Sequence, residues 1–162
     1  MRTLLALCLA MAACSSSGST AADSTCKSGV KWTGGDQESP EMHPGGDCIA
    51  CHKSHPDAPQ FAVAGTVYAA NAGKDADDCL GSAGAQVVIT DANGKQTTLT
   101  ANASGNFLLD KKQSTIALPY KARIVYNGKE RQMMGEQSVG SCNSCHTAGG
   151  ANGAPGRILL PE

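Results

Sequence analysis

Cys48-Ile49-Ala50-Cys51-His52 has a counterpart in Cys142-Asn143-Ser144-Cys145-His146, near the other end of the chain. No other feature limits as strongly what the chain can become. Two thiols separated by two residues can bond to the two vinyl groups of one porphyrin. A histidine directly after the second thiol then turns its imidazole toward the iron. C-x-x-C-H is the attachment pattern of c-type haem. The pair predicts two covalently attached haems (iron porphyrins). Cys48, Cys51, Cys142 and Cys145 are the anchors, and His52 and His146 the proximal ligands. The rival reading of the four thiols is a structural zinc site. Zinc does not require a histidine after each second cysteine, and an oxidising compartment disfavours free thiolates.

The N-terminus points to that compartment. Residues 1–13 combine Arg2, a short apolar run over residues 4–11, and the small pair Ala12-Ala13 before Cys14. This is the layout of an export signal. The run is too short to cross a bilayer as a helix. Met11-Ala12-Ala13-Cys14 resembles the cleavage box of bacterial lipoproteins. The resemblance implies cleavage before Cys14 and lipidation of that residue. Because Ser15 rather than Asp follows, it also implies an outer-membrane lipoprotein facing the periplasm or the cell surface. The alternative is an ordinary secretory signal cut nearby. Cys8 is a poorer lipidation candidate, since Leu7 before it is not small. Residues 14–25 are rich in Ser, Ala and Thr and read as a flexible tether.

With 162 residues, the chain supports one domain with appendages. Its apolar residues are mostly small, aromatics make up only 4%, and there are 19 glycines, so a core built from protein alone would be thin. Two haems would add large apolar surfaces. A net charge of −1 suggests neither a nucleic-acid partner nor electrostatic membrane binding.

Residues 26–60, the first haem-binding segment, are rich in Gly, Pro, Asp and Ser without a sustained period. They predict loops, with one short helical turn over residues 48–53. Six strand-like runs follow, at 61–68, 86–90, 96–100, 106–109, 120–126 and 129–133. Asp91-Ala92-Asn93-Gly94 and Asn127-Gly128 are turn signals, the second the strongest hairpin signal in the chain. The expected fold is mainly β: a small antiparallel Greek-key β-sandwich over 61–134, flanked by loop-rich haem-binding segments at 26–60 and 135–162. If six strands alternate in direction, both haem segments gather at one end of the sandwich.

Gly65, Gly84-Ala85 and Gly105-Asn106-Phe107, set among these strands, resemble the carboxypeptidase-regulatory-like, or transthyretin-like, sandwich. Such modules are scaffolds and imply no activity. The whole arrangement resembles exported dihaem c-type cytochromes with a C-x-x-C-H segment at each end of such a module. The features that carry this are residues 42–48 (Met-His-Pro-Gly-Gly-Asp-Cys) and the tail Gly153-Ala154-Pro155-Gly156-Arg157-Ile158. The resemblance implies a one-electron carrier. Its redox partners would be other cytochromes or membrane electron-transfer complexes, and it would reach the membrane by a lipid anchor. It also favours Met42 as a distal ligand, because the family pattern reads Met-x-Pro-Gly.

Of eight cysteines, Cys8 goes with the signal, Cys14 takes the lipid and four hold haem, leaving Cys26 and Cys79 to form a disulfide or remain as free thiols. The distal candidates are Met42, His43, His55, Met133 and Met134. A Met ligand raises the potential relative to a second His. His55 stands three residues after His52, so a helical turn there would put it on the proximal side of its own haem and let it reach the other haem more easily. Strand alternation turns only one of Met133 and Met134 inward. Arg157 is either a propionate partner or a solvated side chain, and Trp32 either covers a porphyrin face or packs in its loop. Two further functional readings stand beside electron transfer. One is a haem enzyme, a peroxidase or small-molecule reductase, which needs an open distal site. The other is a zinc-binding structural lipoprotein.

Overall fold

The computed structural model describes residues 21–22 and 25–162. The signal sequence, Cys8, Cys14 and most of the tether lie outside the described residues. Ala21–Ala22, expected as tether, forms a short strand β1, which pairs antiparallel with β2, Val30–Lys31.

The chain is mainly β and folds as a small two-sheet sandwich. After a six-residue helix α1 (Cys48–Lys53) come β3 (Phe61–Tyr68), β4 (Gln86–Thr90) and β5 (Gln96–Thr100). Then follow β6 (Asn106–Asp110), β7 (Lys121–Tyr126) and β8 (Lys129–Gln132). Each of the six expected strands is present, with ends displaced by a residue or so. A last strand, β9 (Ile158–Leu159), was not expected. One sheet has the order β5-β4-β7-β8 and is antiparallel throughout. The other is β6-β3-β9, with β6 antiparallel and β9 parallel to β3.

Local chemistry explains the turns. Asp91 Oδ1 accepts from the amides of Asn93 and Lys95 at 2.9 and 3.0 Å, closing the β4–β5 turn. Asn127 and Gly128 both take positive φ (49° and 74°), as a two-residue hairpin between twisted strands requires. The outer strand β8 reads Lys-Glu-Arg-Gln and is exposed throughout, which protects a sheet edge from further pairing.

β3 is buried almost along its whole length, because both its faces are covered. Val63 and Val67 meet Val87, Ile89, Phe107, Leu109 and Tyr120 in the sandwich core. Tyr68 joins a second cluster with Cys26, Ala72 and Cys79. Cys26 and Cys79 form the disulfide, tying the start of the first segment to the β3–β4 loop. Closing a loop with a sequence separation of 53 is worth about 4 kcal/mol in the chain-entropy model.

The tail does not simply leave the end of the sandwich. It turns back and runs parallel along the edge of β3. The Ala64 amide donates to Gly140 O at 3.0 Å, Ala64 pairs with Ser141, and Val67 and Tyr68 pair with Ile158 and Leu159. Alternating strands therefore do not govern where the second segment lies. Unpaired backbone groups on β3 draw it there, since buried amides and carbonyls need partners.

Candidate functional site

The first motif lies on α1. Asp47 caps the helix, its Oδ1 accepting from the Ala50 amide at 3.0 Å. The helix carries Cys48, Cys51 and His52 at i, i+3 and i+4, on one side of one short element. The second motif has no α-helix. Cys142–Ser144 forms one 3-10 turn, and the Cys145 and His146 amides both donate to Cys142 O, at 3.2 and 2.9 Å.

The two histidines are held alike despite this difference. His52 Nδ1 lies 2.7 Å from Pro59 O, and His146 Nδ1 lies 2.8 Å from Gly156 O. A carbonyl can only accept, so each Nδ1 carries a proton, and in the neutral ring Nε2 is then the nitrogen with the lone pair. This is how metal-bound imidazoles are oriented and made more basic. The His52 ring also packs against Phe61, with centroids 4.8 Å apart. Gln60 steadies the loop between them by donating to His52 O at 2.7 Å.

All four motif cysteines are free thiols; Cys51 is exposed and the other three are half-buried. Burial pushes the Cys48 thiol up to about 11 and the Cys142 thiol up to about 12. Tyr120 reaches Cys142, its hydroxyl 3.9 Å from Sγ while it donates to Val139 O at 2.9 Å. Burial raises the Tyr120 phenol well above its usual range, so it stays a neutral donor.

A cleft of about 490 Å³ opens beside the second motif. Cys142, Cys145 and His146 line it together with apolar side chains such as Val63, Phe107 and Ile124. Its size is that of a small-molecule site. An apolar cleft with two thiols and an oriented imidazole on its wall fits a porphyrin. The first motif stands nearer the surface.

Met133 and Met134 also line the cleft. The Met133 amide donates to Ala122 O at 2.9 Å, extending the β7–β8 ladder by one pair. Directly opposed residues share a sheet face. Met133 therefore lies on the face of Ala122 and Ile124, which pack on the core. Met134 alternates away and is 98% exposed. At the first motif, Met42 is half-buried and its carbonyl accepts from Asn106 Nδ2 at 2.9 Å.

Both ring nitrogens of His43 face carboxylates, Nδ1 at 3.0 Å from Asp78 and Nε2 at 3.2 Å from Asp36. Iron ligation by His43 would have to displace one of them. His55 folds back on its own helix end, with Nδ1 3.0 Å from Cys51 O. Trp32 donates from its indole to Gly35 O at 2.9 Å and lies over Gly34.

Arg157 is not the solvated side chain that was one of its two readings. It is buried, and its guanidinium donates to Asp75 O from Nε and Nη2 (3.2 and 3.0 Å) and to Gly45 O from Nη1 (3.4 Å). Nη2 also pairs with Asp77, and the group sits 5.0 Å from the Tyr68 ring centroid. These bonds make Arg157 a structural tie between residues 75–77 and Gly45, and it also lines the cleft beside the second motif.

Residues that the motif pattern left open complete the site. Pro59 and Gly156 act through backbone carbonyls, so no side-chain signal marks them. Ser141 and Asn143 flank Cys142 and reach the first segment. The Ser141 hydroxyl donates to Asp47, and Asn143 Nδ2 donates to Gly46 O at 2.8 Å. Comparison with protein-family models, curated proteins and solved structures gave no match.

Proposed function

We propose that the protein is an exported dihaem c-type cytochrome, a one-electron carrier in the periplasm or at the outer membrane. The observation that carries this reading is the shared posture of the two histidines. Each directly follows a C-x-x-C pair and donates from Nδ1 to a backbone carbonyl, leaving Nε2 free for iron. An attached haem would supply the one-electron chemistry. The chain supplies the rest. Cys48 and Cys51 anchor one group at the surface, and Cys142 and Cys145 anchor the other at an apolar cleft. Pro59 and Gly156 fix the imidazole rings. Met133, on the cleft face, is the favoured distal ligand at the second site, and Met42 remains the candidate at the first. Different surroundings suit different potentials, because burial and axial ligand both tune iron.

The test is the visible spectrum and mass of protein matured with a haem-attachment system. Two haems per chain that survive denaturation are expected. A colourless protein carrying zinc would overturn the reading. High-spin ferric iron with rapid peroxide turnover would replace the carrier with the enzyme.

A further inference from the structure

Asn143 occupies a position that C-x-x-C-H leaves open, between the thiols of the second motif. It is nonetheless only 3% exposed, and its whole amide is engaged. Oδ1 accepts from the Thr66 amide at 3.1 Å, while Nδ2 donates to Gly46 O at 2.8 Å and to Thr66 Oγ1 at 3.1 Å. Gly46 stands two residues before Cys48. Thr66 is fully buried on β3. Its hydroxyl also accepts from the Gly45 amide at 2.8 Å and donates to Asn106 Oδ1 at 2.7 Å. Asn106 in turn holds the carbonyls of Met42 and Pro40, at 2.9 and 3.2 Å. On the other side of Cys142, the Ser141 hydroxyl donates to the same Asp47 oxygen that caps α1.

The residues on both sides of Cys142 therefore grip the approach to Cys48. We infer that Asn143, although it belongs to the second motif, is a positioning residue for the first haem site. With Ser141, it couples the two redox centres through residues 42–47. A buried polar network in which every group is paired admits one arrangement and loses it as a unit. Moving Asn143 thus moves the Met42 carbonyl, the Gly45-Gly46 turn and the helix start that presents Cys48.

This inference rests on the dihaem reading, and the experiment separates the two. Haem count and covalent attachment in the unmodified protein are measured first. If they fail, the cytochrome reading fails. With two haems present, Asn143→Ala and Ser141→Ala are each compared by redox titration with Ser144→Ala. The Ser144 hydroxyl bonds within its own segment, to Ser141 O at 2.6 Å and near Cys145 Sγ at 3.8 Å. The expected result is that Asn143→Ala and Ser141→Ala shift both midpoint potentials and the Ser144 variant shifts at most one. A chain with Cys142→Ala and Cys145→Ala, carrying haem only at the first motif, identifies the first-site potential. Adding Asn143→Ala to it should still shift that potential and alter the axial-ligand spectrum. Should the Asn143 variants not fold, the milder Ser141→Ala in the two-haem chain decides the matter. A first-site potential that stays fixed in the folded variants overturns the coupling.

Discussion

His146 donates from Nδ1 to the carbonyl of Gly156 at 2.8 Å, and Gly156 holds φ at +125°. The carbonyl can face the imidazole because its residue adopts a backbone conformation that side chains disfavour. A methyl group there would meet nothing nearer than 3.7 Å, so the constraint is backbone strain rather than crowding.

Gly156→Ala is accordingly expected to cost about 1–3 kcal/mol in denaturant unfolding. It should also lower the occupancy of the His146 hydrogen bond and shift the second-site potential while the first stays in place. An unchanged unfolding midpoint together with unchanged potentials would contradict the role given to this carbonyl.

Arg157→Leu tests whether this residue is structural. Removing the guanidinium leaves the carbonyls of Asp75 and Gly45 without their donors in a buried setting, at a cost on the order of 3 kcal/mol. Arg157→Lys should rescue little, because one ammonium cannot reproduce a planar fork. Chemical denaturation measures both. A wild-type midpoint accompanied by an altered potential would return Arg157 to the propionate.

The motif thiols give a pH dependence in protein made without haem. Burial raises Cys48 to about 11 and Cys142 to about 12, so both remain protonated at pH 8, and only the thiolate alkylates. Their labelling should be slow at pH 8 and climb as pH approaches those values, with exposed Cys51 labelled first. Mass spectrometry of alkylated peptides across pH reads this out. Rapid labelling of Cys142 at pH 8 would contradict it.

Met133 and Met134 are adjacent in sequence but opposite in placement. Met133→Ala is expected to abolish the near-infrared charge-transfer band of Met-ligated iron at the second site and to lower its potential. Met134→Ala, at a residue 98% exposed, should leave both nearly unchanged. The reverse outcome would mean that the β7–β8 ladder slips by one residue at this end.

Much of the fold was legible because its signals are local. The runs at 61–68 and 86–90 are rich in β-branched residues, and Asn127-Gly128 dictates a hairpin. The Cys26–Cys79 pair followed from counting thiols. Arg157 misled because a Gly/Pro-rich neighbourhood suggests solvent, whereas its burial comes from Asp75, Asp77 and Gly45, far away in sequence. β9 was missed because two residues carry no period; it forms only where β3 offers a free edge.

The sequence alone determined the chemistry: two C-x-x-C-H motifs, a β module between them, and a disulfide from the remaining cysteines. Their spatial relation was a tertiary decision. Strand counting placed both segments at an end of the sandwich, but backbone groups along β3 needed partners, and the second segment supplied them. That docking buries Asn143 against Thr66 and Gly46, so a position that the motif pattern leaves unspecified contacts the other motif's approach. No local pattern encodes it, because the three residues meet only after β3 is paired and the tail has folded back.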